Sequence, residues 1–207
     1  MQILKQDIRD RLLQVAKSHF LKFGYLKASM RSIASDTGIG VGNIYNYYKD
    51  KDALFRAVVA PVLCRFDEML MKHHNPAKPD VTRLVSDYHY YGLVNEYVEL
   101  INGNRDRLKI LFMRSEGSSL ENFTDYFCDK TTAVIEKWFD GIRSDNPEMR
   151  FIISPMTIHL HTVWEFSLLK EIIAHNVPKK DIPCIVADFI RFEIAGWRHL
   201  LKLDYGN

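Results

Sequence analysis

The sequence predicts an all-α protein, and three observations predict it. Apolar residues recur every three or four positions along almost the whole chain, the period of one helix face. Between these stretches stand clusters of glycine, proline, asparagine and serine, which stop helices. No strand-type alternation, internal repeat or low-complexity tract competes with that pattern. The 207 residues, 47% of them hydrophobic, suffice for one large domain or a small domain plus a medium one.

The elements follow in order. Ile8, Leu12, Val15, Ala16, Phe20 and Phe23 form one stripe of a first helix, ended by Gly24. Ser29 is the expected N-cap of a short helix, Met30 to Thr37, with Met30, Ile33 and Ala34 on one face. Gly38-Ile39-Gly40 breaks it, and a second short helix is expected over about Val41 to Tyr48. Asp50 can cap a longer helix that carries Leu54, Phe55, Val58, Val62, Phe66 and Met69 at helical spacing. The proline-bearing run from His73 to Pro79 is the expected domain boundary. Beyond it, helices are expected at roughly 81–102, 104–115, 119–143, 154–175 and 182–204. The breaks are Asn102-Gly103-Asn104, Glu116-Gly117-Ser118, Ser144-Asp145-Asn146-Pro147 and Asn176-Val177-Pro178. Ser154-Pro155 joins a capping serine to a proline at the first helical position, a good helix start.

Composition removes several classes. No run of about 18 apolar residues is present, so a membrane-spanning helix is not expected. The first residues, Met1 to Asp7, lack the charged-then-apolar layout of a secretory signal. Cys64, Cys128 and Cys184 are odd in number, far apart and without C-x-x-C spacing. That argues against a disulfide framework and a zinc site, and fits a reducing cytoplasm; each is read as a small buried hydrophobe. Net charge is only +2, but its distribution is uneven. Residues 1–60 hold ten Lys/Arg against five Asp/Glu, whereas 61–207 hold 18 against 21. A basic head on a slightly acidic body is the footprint expected if only the head meets phosphates.

Two short helices joined by a tight glycine turn outline a helix-turn-helix. A stub of helix can enter the major groove of DNA only if a partner helix braces it across the backbone. Gly38 and Gly40 let the backbone turn sharply, while Ile33, Ala34, Ile39 and Ile44 lock the pair together. The second helix then exposes Asn43, Asn46 and Tyr47, donors and acceptors suited to base edges and phosphates. Tyr45, Tyr47, Tyr48, Lys49 and Lys51 lie on it or just after it, where hydroxyls and ammoniums hold sugar-phosphate strands.

Over the 27 positions from Ser29 to Phe55, this segment resembles the DNA-binding signature of the tetracycline-repressor (TetR) family. The resemblance covers about the first 60 residues. It implies a two-domain, all-helical homodimer with three N-terminal helices on DNA and a divergent C-terminal ligand domain. It implies that Tyr45, Tyr47 and Lys51 sit at phosphate-contacting positions, and that Gly40, Val41, Asn43 and Asn46 sit nearest the bases. Ser29, Arg31 and Lys49 complete the expected DNA-binding set, while Tyr48 packs back into the small core. The chain departs from the family at Gly40 and Val41, where many members carry a polar or basic residue. Ser32 replaces the often acidic position, so no capping box forms with Ser29.

Behind the head, helix 81–102 puts Leu84, Tyr88, Tyr91, Asn95 and Val98 on one face. A mostly apolar face with a few polar groups suits a small-molecule pocket. Tyr88, Tyr91, Asn95, Phe112, Phe127, His161, Trp164 and Glu165 are the candidate lining, with simple core packing as the competing account. His161 and Glu165, at i and i+4, could share a metal, but two ligands do not make a site, and neither a metal nor a cofactor is expected. The last two helices are apolar over more than one face, through Ile158, Leu168, Leu169, Ile172, Ile185, Phe189, Phe192 and Trp197. By resemblance they form the dimer interface.

The expectation is therefore an all-α chain in three parts. Residues 1–50 form a three-helix helix-turn-helix DNA-binding domain, 51–75 a connecting helix, and 76–207 a helical-bundle domain for ligand binding and dimerisation. Its expected work is sequence-specific transcription regulation in the cytoplasm, as a repressor released from a pseudo-palindromic DNA operator by a small-molecule effector. Pro61 lies in the connecting helix, where a missing backbone hydrogen bond should bend it and provide a hinge between sensor and head. The rivals are a regulator without a ligand and an all-helical enzyme. Against the enzyme stand the lack of a Glu-x-x-His pair, a glycine-rich phosphate loop or a recognisable nucleophile setting.

Overall fold

A computed structural model describes residues 2–81 and 86–203. Leu84 and the predicted end of the last helix at Asp204 lie outside the described residues. Eight helices and no strand occur among them: α1 (Gln2–Lys27), α2 (Met30–Thr37), α3 (Val41–Ile44), α4 (Lys51–His73), α5 (Asp87–Met113), α6 (Phe123–Asp145), α7 (Pro155–Ala174) and α8 (Ile182–Leu200). None is long and apolar enough to cross a membrane.

The chain divides into two compact units, 1–65 with 104–123, and 66–103 with 124–207. Packing thus divides the chain within α4, after Arg65, and joins 104–123 to the first unit. Pro61 is exposed, and α4 continues through it to His73.

In the first unit, Leu12, Ala16 and Phe20 of α1 are fully buried, while Phe23 turns outward. The buried stripe steps by four, so Phe23 falls a position short of it. Gly24, with φ 74° and ψ 170°, breaks the helical course, and Tyr25 N–H donates instead to the Arg114 carbonyl at 2.8 Å. Phe20, Tyr25 and Phe55 stack around one another with centroids 5.1–6.2 Å apart, geometry that adds to their burial. Ile33, Ala34 and Ile44 are fully buried, as the locking role requires, and Ile39 is half-buried.

The larger unit has its own core around Ile135, Trp138, Phe139, Ile142, Phe151, Ile158 and Leu201. α6 begins at Phe123 rather than near 119 because side chains claim the preceding amides. Ser119 N–H donates to Asp52, Leu120 N–H to Ser118 Oγ, and Gly117 N–H to Glu121. The expected break at Asn102-Gly103-Asn104 is a kink at Asn104 (φ −132°, ψ 20°) inside the continuous α5. Of the cysteines, only Cys128 is buried; Cys64 and Cys184 are exposed, correcting the expectation that all three fill core space. Each lies on a helix whose apolar stripe runs through its neighbours.

Candidate nucleic-acid interface and internal cavity

The head is built from local signals. Ser29 Oγ accepts from Ser32 N–H at 3.4 Å and caps α2. α2 ends where Gly38 takes the left-handed conformation (φ 75°, ψ 31°), its N–H and that of Ile39 returning to Ala34 and Ser35 carbonyls. Gly40 adopts an ordinary extended conformation (φ −65°, ψ 148°), and a Cβ there would meet nothing within 4 Å. The turn therefore requires glycine at Gly38 alone, a correction to the reading that gave Gly40 the same role.

α3 is shorter than expected, four residues, and continues as tight turns through Tyr47. Its start has no side-chain cap, and Tyr47 N–H already bonds three residues back, to the Ile44 carbonyl at 3.0 Å. Val41, Asn43, Tyr45, Asn46 and Lys49 are exposed, as are Ser29 and Arg31, and Tyr47 is half-buried. Asn46 Nδ2 donates to Asn43 Oδ1 at 3.0 Å, which fixes the two amides as one unit with donors and acceptors still outward. The Lys49 side chain is 84% exposed. Tyr48 is buried and its hydroxyl accepts from Arg9 Nε at 3.4 Å, as its packing role predicts.

Lys51 behaves differently from its neighbours. Its ammonium donates to the carbonyls of Tyr25, Leu26 and Ala28 at 2.9, 3.3 and 3.4 Å and lies 4.3 Å from the Tyr25 ring centroid. Three donors meet three acceptors at the end of α1, where cations are favoured. These contacts tie the start of α4 to the end of α1, and local spacing could not reveal them.

The second unit encloses a cavity of about 130 Å³ between the ends of α4 and α5 and the bodies of α6, α7 and α8. Phe127, His161 and Glu165 line it, as expected. Tyr88, Tyr91 and Asn95 do not: Tyr88 is 90% exposed, and the others are exposed too. α5 is rotated from the expected phase, so that His89, Leu93 and Tyr97, four residues apart, face the cavity. Tyr90 pins that rotation by donating to the Ala187 carbonyl of α8 at 3.2 Å. Phe112 belongs to the first unit, and Trp164 is exposed, 4.3 Å from Phe189 and 5.3 Å from Phe192 between ring centroids.

The residues that sequence reading missed are polar and come from other helices. Glu193 Oε1 stands 3.0 Å from His161 Nε2, Trp197 Nε1 donates to the same Nε2 at 2.9 Å, and Tyr97 hydrogen-bonds Glu165. Burial pushes Glu193 well above the usual carboxylate range. Burial and then the Glu193 charge push Glu165 up to about 8, while burial lowers the His161 pKa. His161, Glu165 and Glu193 offer ligand atoms within 4.8 Å of one another, so a cation could be held there although His161 and Glu165 alone could not do so. Nearby, Glu96 accepts from Lys72 and, at 2.7 Å, pairs with His73. Burial would raise Glu96, but these two partners outweigh it and lower its pKa.

Comparison with known proteins agrees with this geometry. Residues 12–58 match the model of bacterial regulatory proteins, tetR family. The HTH-type transcriptional regulator UidR of Escherichia coli K12 is 32% identical over 78 residues, 36% of this chain and 40% of UidR. The chain thus matches less than half the length of this curated relative. NalD of Pseudomonas aeruginosa, the secondary repressor of the MexAB-OprM multidrug efflux pump, superposes with TM-score 0.60 at 18% identity, covering 97% of this chain and 99% of NalD. Bacillus subtilis FadR, a transcriptional regulator in complex with stearoyl-CoA, does so with TM-score 0.55 at 14% identity, covering 90% and 97%. At such identities the likeness establishes the fold alone, and the family match is confined to the head. Residues 12–58 thus carry a stretch similar to the bacterial regulatory proteins of the tetR family, and the all-helical fold behind it is like that of NalD.

Proposed function

We propose that this chain is a cytoplasmic transcription regulator that reads operator DNA with its head and is released by a small molecule held in the cavity of its second unit. The observation that carries the reading is the head itself: a braced turn at Gly38 behind exposed Asn43, Tyr45, Asn46 and Lys49, in the stretch that matches the family. Gly40, Val41, Asn43 and Asn46 are assigned to base edges; Tyr45, Tyr47, Lys49, Arg31 and Ser29 to the sugar-phosphate strands. Lys51 serves the interface by fixing the end of α1.

The working unit in this reading is a homodimer joined through α7 and α8. Met156, Leu160, Val163 and Trp164 of α7 and Ile185 and Phe192 of α8 are exposed large hydrophobics. Ile158, Leu169 and Ile172, first assigned to that interface, are buried within the chain, and Trp197 lines the cavity. An apolar surface of this kind favours a partner of the same shape, and a two-fold dimer addresses half-sites about 34–36 Å apart. The ligand works by population shift, binding best to a conformation with the wrong spacing.

Fluorescence anisotropy of purified protein on the DNA upstream of its own gene tests this, beside a scrambled duplex and a Tyr45→Ala, Lys49→Ala variant. Saturable binding that prefers the native duplex, weakens with salt and collapses in the variant supports the reading. A folded, ligand-free dimer that binds no duplex overturns it.

A further inference from the structure

The cavity's polar end has an acceptor without a donor. Glu193 Oε1 is buried, its side chain only 7% exposed, and it receives no hydrogen bond. Its near neighbour, His161 Nε2, already accepts the Trp197 indole N–H. A neutral imidazole then carries its one proton on Nδ1, which faces Glu165 Oε1 at 3.9 Å rather than Glu193. No lysine or arginine lines the cavity among the described residues, while three carboxyls, Asp80, Glu165 and Glu193, do. The rest of the wall is largely apolar and aromatic, including Phe127, Phe166 and Trp197.

We propose that the cavity takes a protonated primary or secondary amine on a small apolar or aromatic body, its ammonium donating to Glu193 and Glu165. The proposal deepens the effector reading above and rests on it for its regulatory consequence. Each part of the geometry selects this class. An ammonium brings the N–H donor that Glu193 Oε1 lacks and the positive charge that two carboxyls favour in a site of low polarity. Aromatic faces attract the same charge through their quadrupoles. The volume, about 130 Å³, is close to that of cavities that hold a single benzene ring, and far exceeds the needs of a bare ion. A carboxylate ligand brings no N–H donor to Glu193 Oε1, and a quaternary ammonium has none to give.

The titration of the site supports the geometry. Burial disfavours the charge of both carboxyls, which raises Glu193 well above the usual carboxylate range and Glu165 to about 8. Facing them are Tyr97 from α5, His161 on α7 and Trp197 from α8, with His73, His74, Asp80 and His89 elsewhere on the wall. A bound ammonium ionises a carboxyl and drives its proton to solvent, so affinity rises with pH while the amine stays charged.

The test is isothermal calorimetry and thermal melting of the full chain with 2-phenylethylamine, its trimethylated form, 2-phenylethanol, phenylacetate and zinc ion with and without EDTA. The expected result is binding of the primary amine above all other probes, about tenfold tighter at pH 8 than at pH 6, with proton release seen in buffers of different ionisation enthalpy. Glu193→Gln and Glu165→Gln should each weaken it about tenfold or more while leaving operator binding intact, which shows that they fold. Preference for the alcohol or the acid overturns the proposal, as does stabilisation by zinc alone, lost with EDTA and with either variant. Amine binding that fails to release operator DNA keeps the site and sinks the effector reading. DNA release by a ligand of another class, with amines inert, does the reverse.

Discussion

In the head, polar groups at the caps and turns are matched by partners close at hand. Thr37 bonds back to the Ile33 carbonyl at 2.7 Å, Asp50 takes Ala53 N–H at 2.7 Å, and Lys51 places three donors on three carbonyls. The cavity in the second unit is the opposite case. A buried carboxyl, Glu193, and a half-buried one, Glu165, share one imidazole, and an oxygen of Glu193 is left without a donor. Satisfied groups rigidify, whereas an unsatisfied buried acceptor costs stability until something supplies a proton to it. The contrast separates a surface that must keep its shape from an interior that is completed by what enters it.

The largest expected effect breaks this contrast at the cavity. Glu165 is pushed from 4.5 up to about 8 by folding, so the native state keeps a proton that the unfolded chain releases. Its contribution is fully present below about pH 4.5 and lost as pH rises through about 8. Tenfold in proton affinity is worth about 1.4 kcal/mol, so the melting temperature of the ligand-free protein should fall over that window. Glu165→Gln should flatten the fall; a melting profile unchanged by the variant would show that the carboxyl is not the group responsible.

Next in size is the core of the head. Phe55→Ala removes a fully buried ring that touches Phe20 and Tyr25 edge-on, at a cost of about 3–5 kcal/mol. Urea denaturation should show it, together with loss of DNA binding. Lys51→Met should cost about 1–2 kcal/mol by orphaning three carbonyls, whereas Lys49→Met should stay within about 0.5 kcal/mol and lower the salt slope of DNA binding by about 1. If the two variants exchange these phenotypes, the division between positioning and contacting lysines is wrong. The smallest effect lies in the turn. Gly38→Ala should cost about 1 kcal/mol because its φ is positive, and Gly40→Ala should leave stability unchanged, both read by thermal melts.

The sequence by itself determined the helices and the head. Ser29, Gly38, Asp50 and Ser154 act on amides and carbonyls within a few residues of themselves, so their caps and turns can be read along the chain. The stripe of Leu54, Phe55, Val58, Val62, Phe66 and Met69 is buried throughout, because period alone fixes one face of a helix. Period does not fix which face of an apolar-rich helix turns inward. α5 offers tyrosines on several sides, and its contact with α8 through Tyr90 decided for His89, Leu93 and Tyr97. Nor could spacing bring Glu193 of α8 to His161 of α7, or Lys51 to the end of α1. Those meetings depend on how helices distant in sequence pack, and only the tertiary structure decided them.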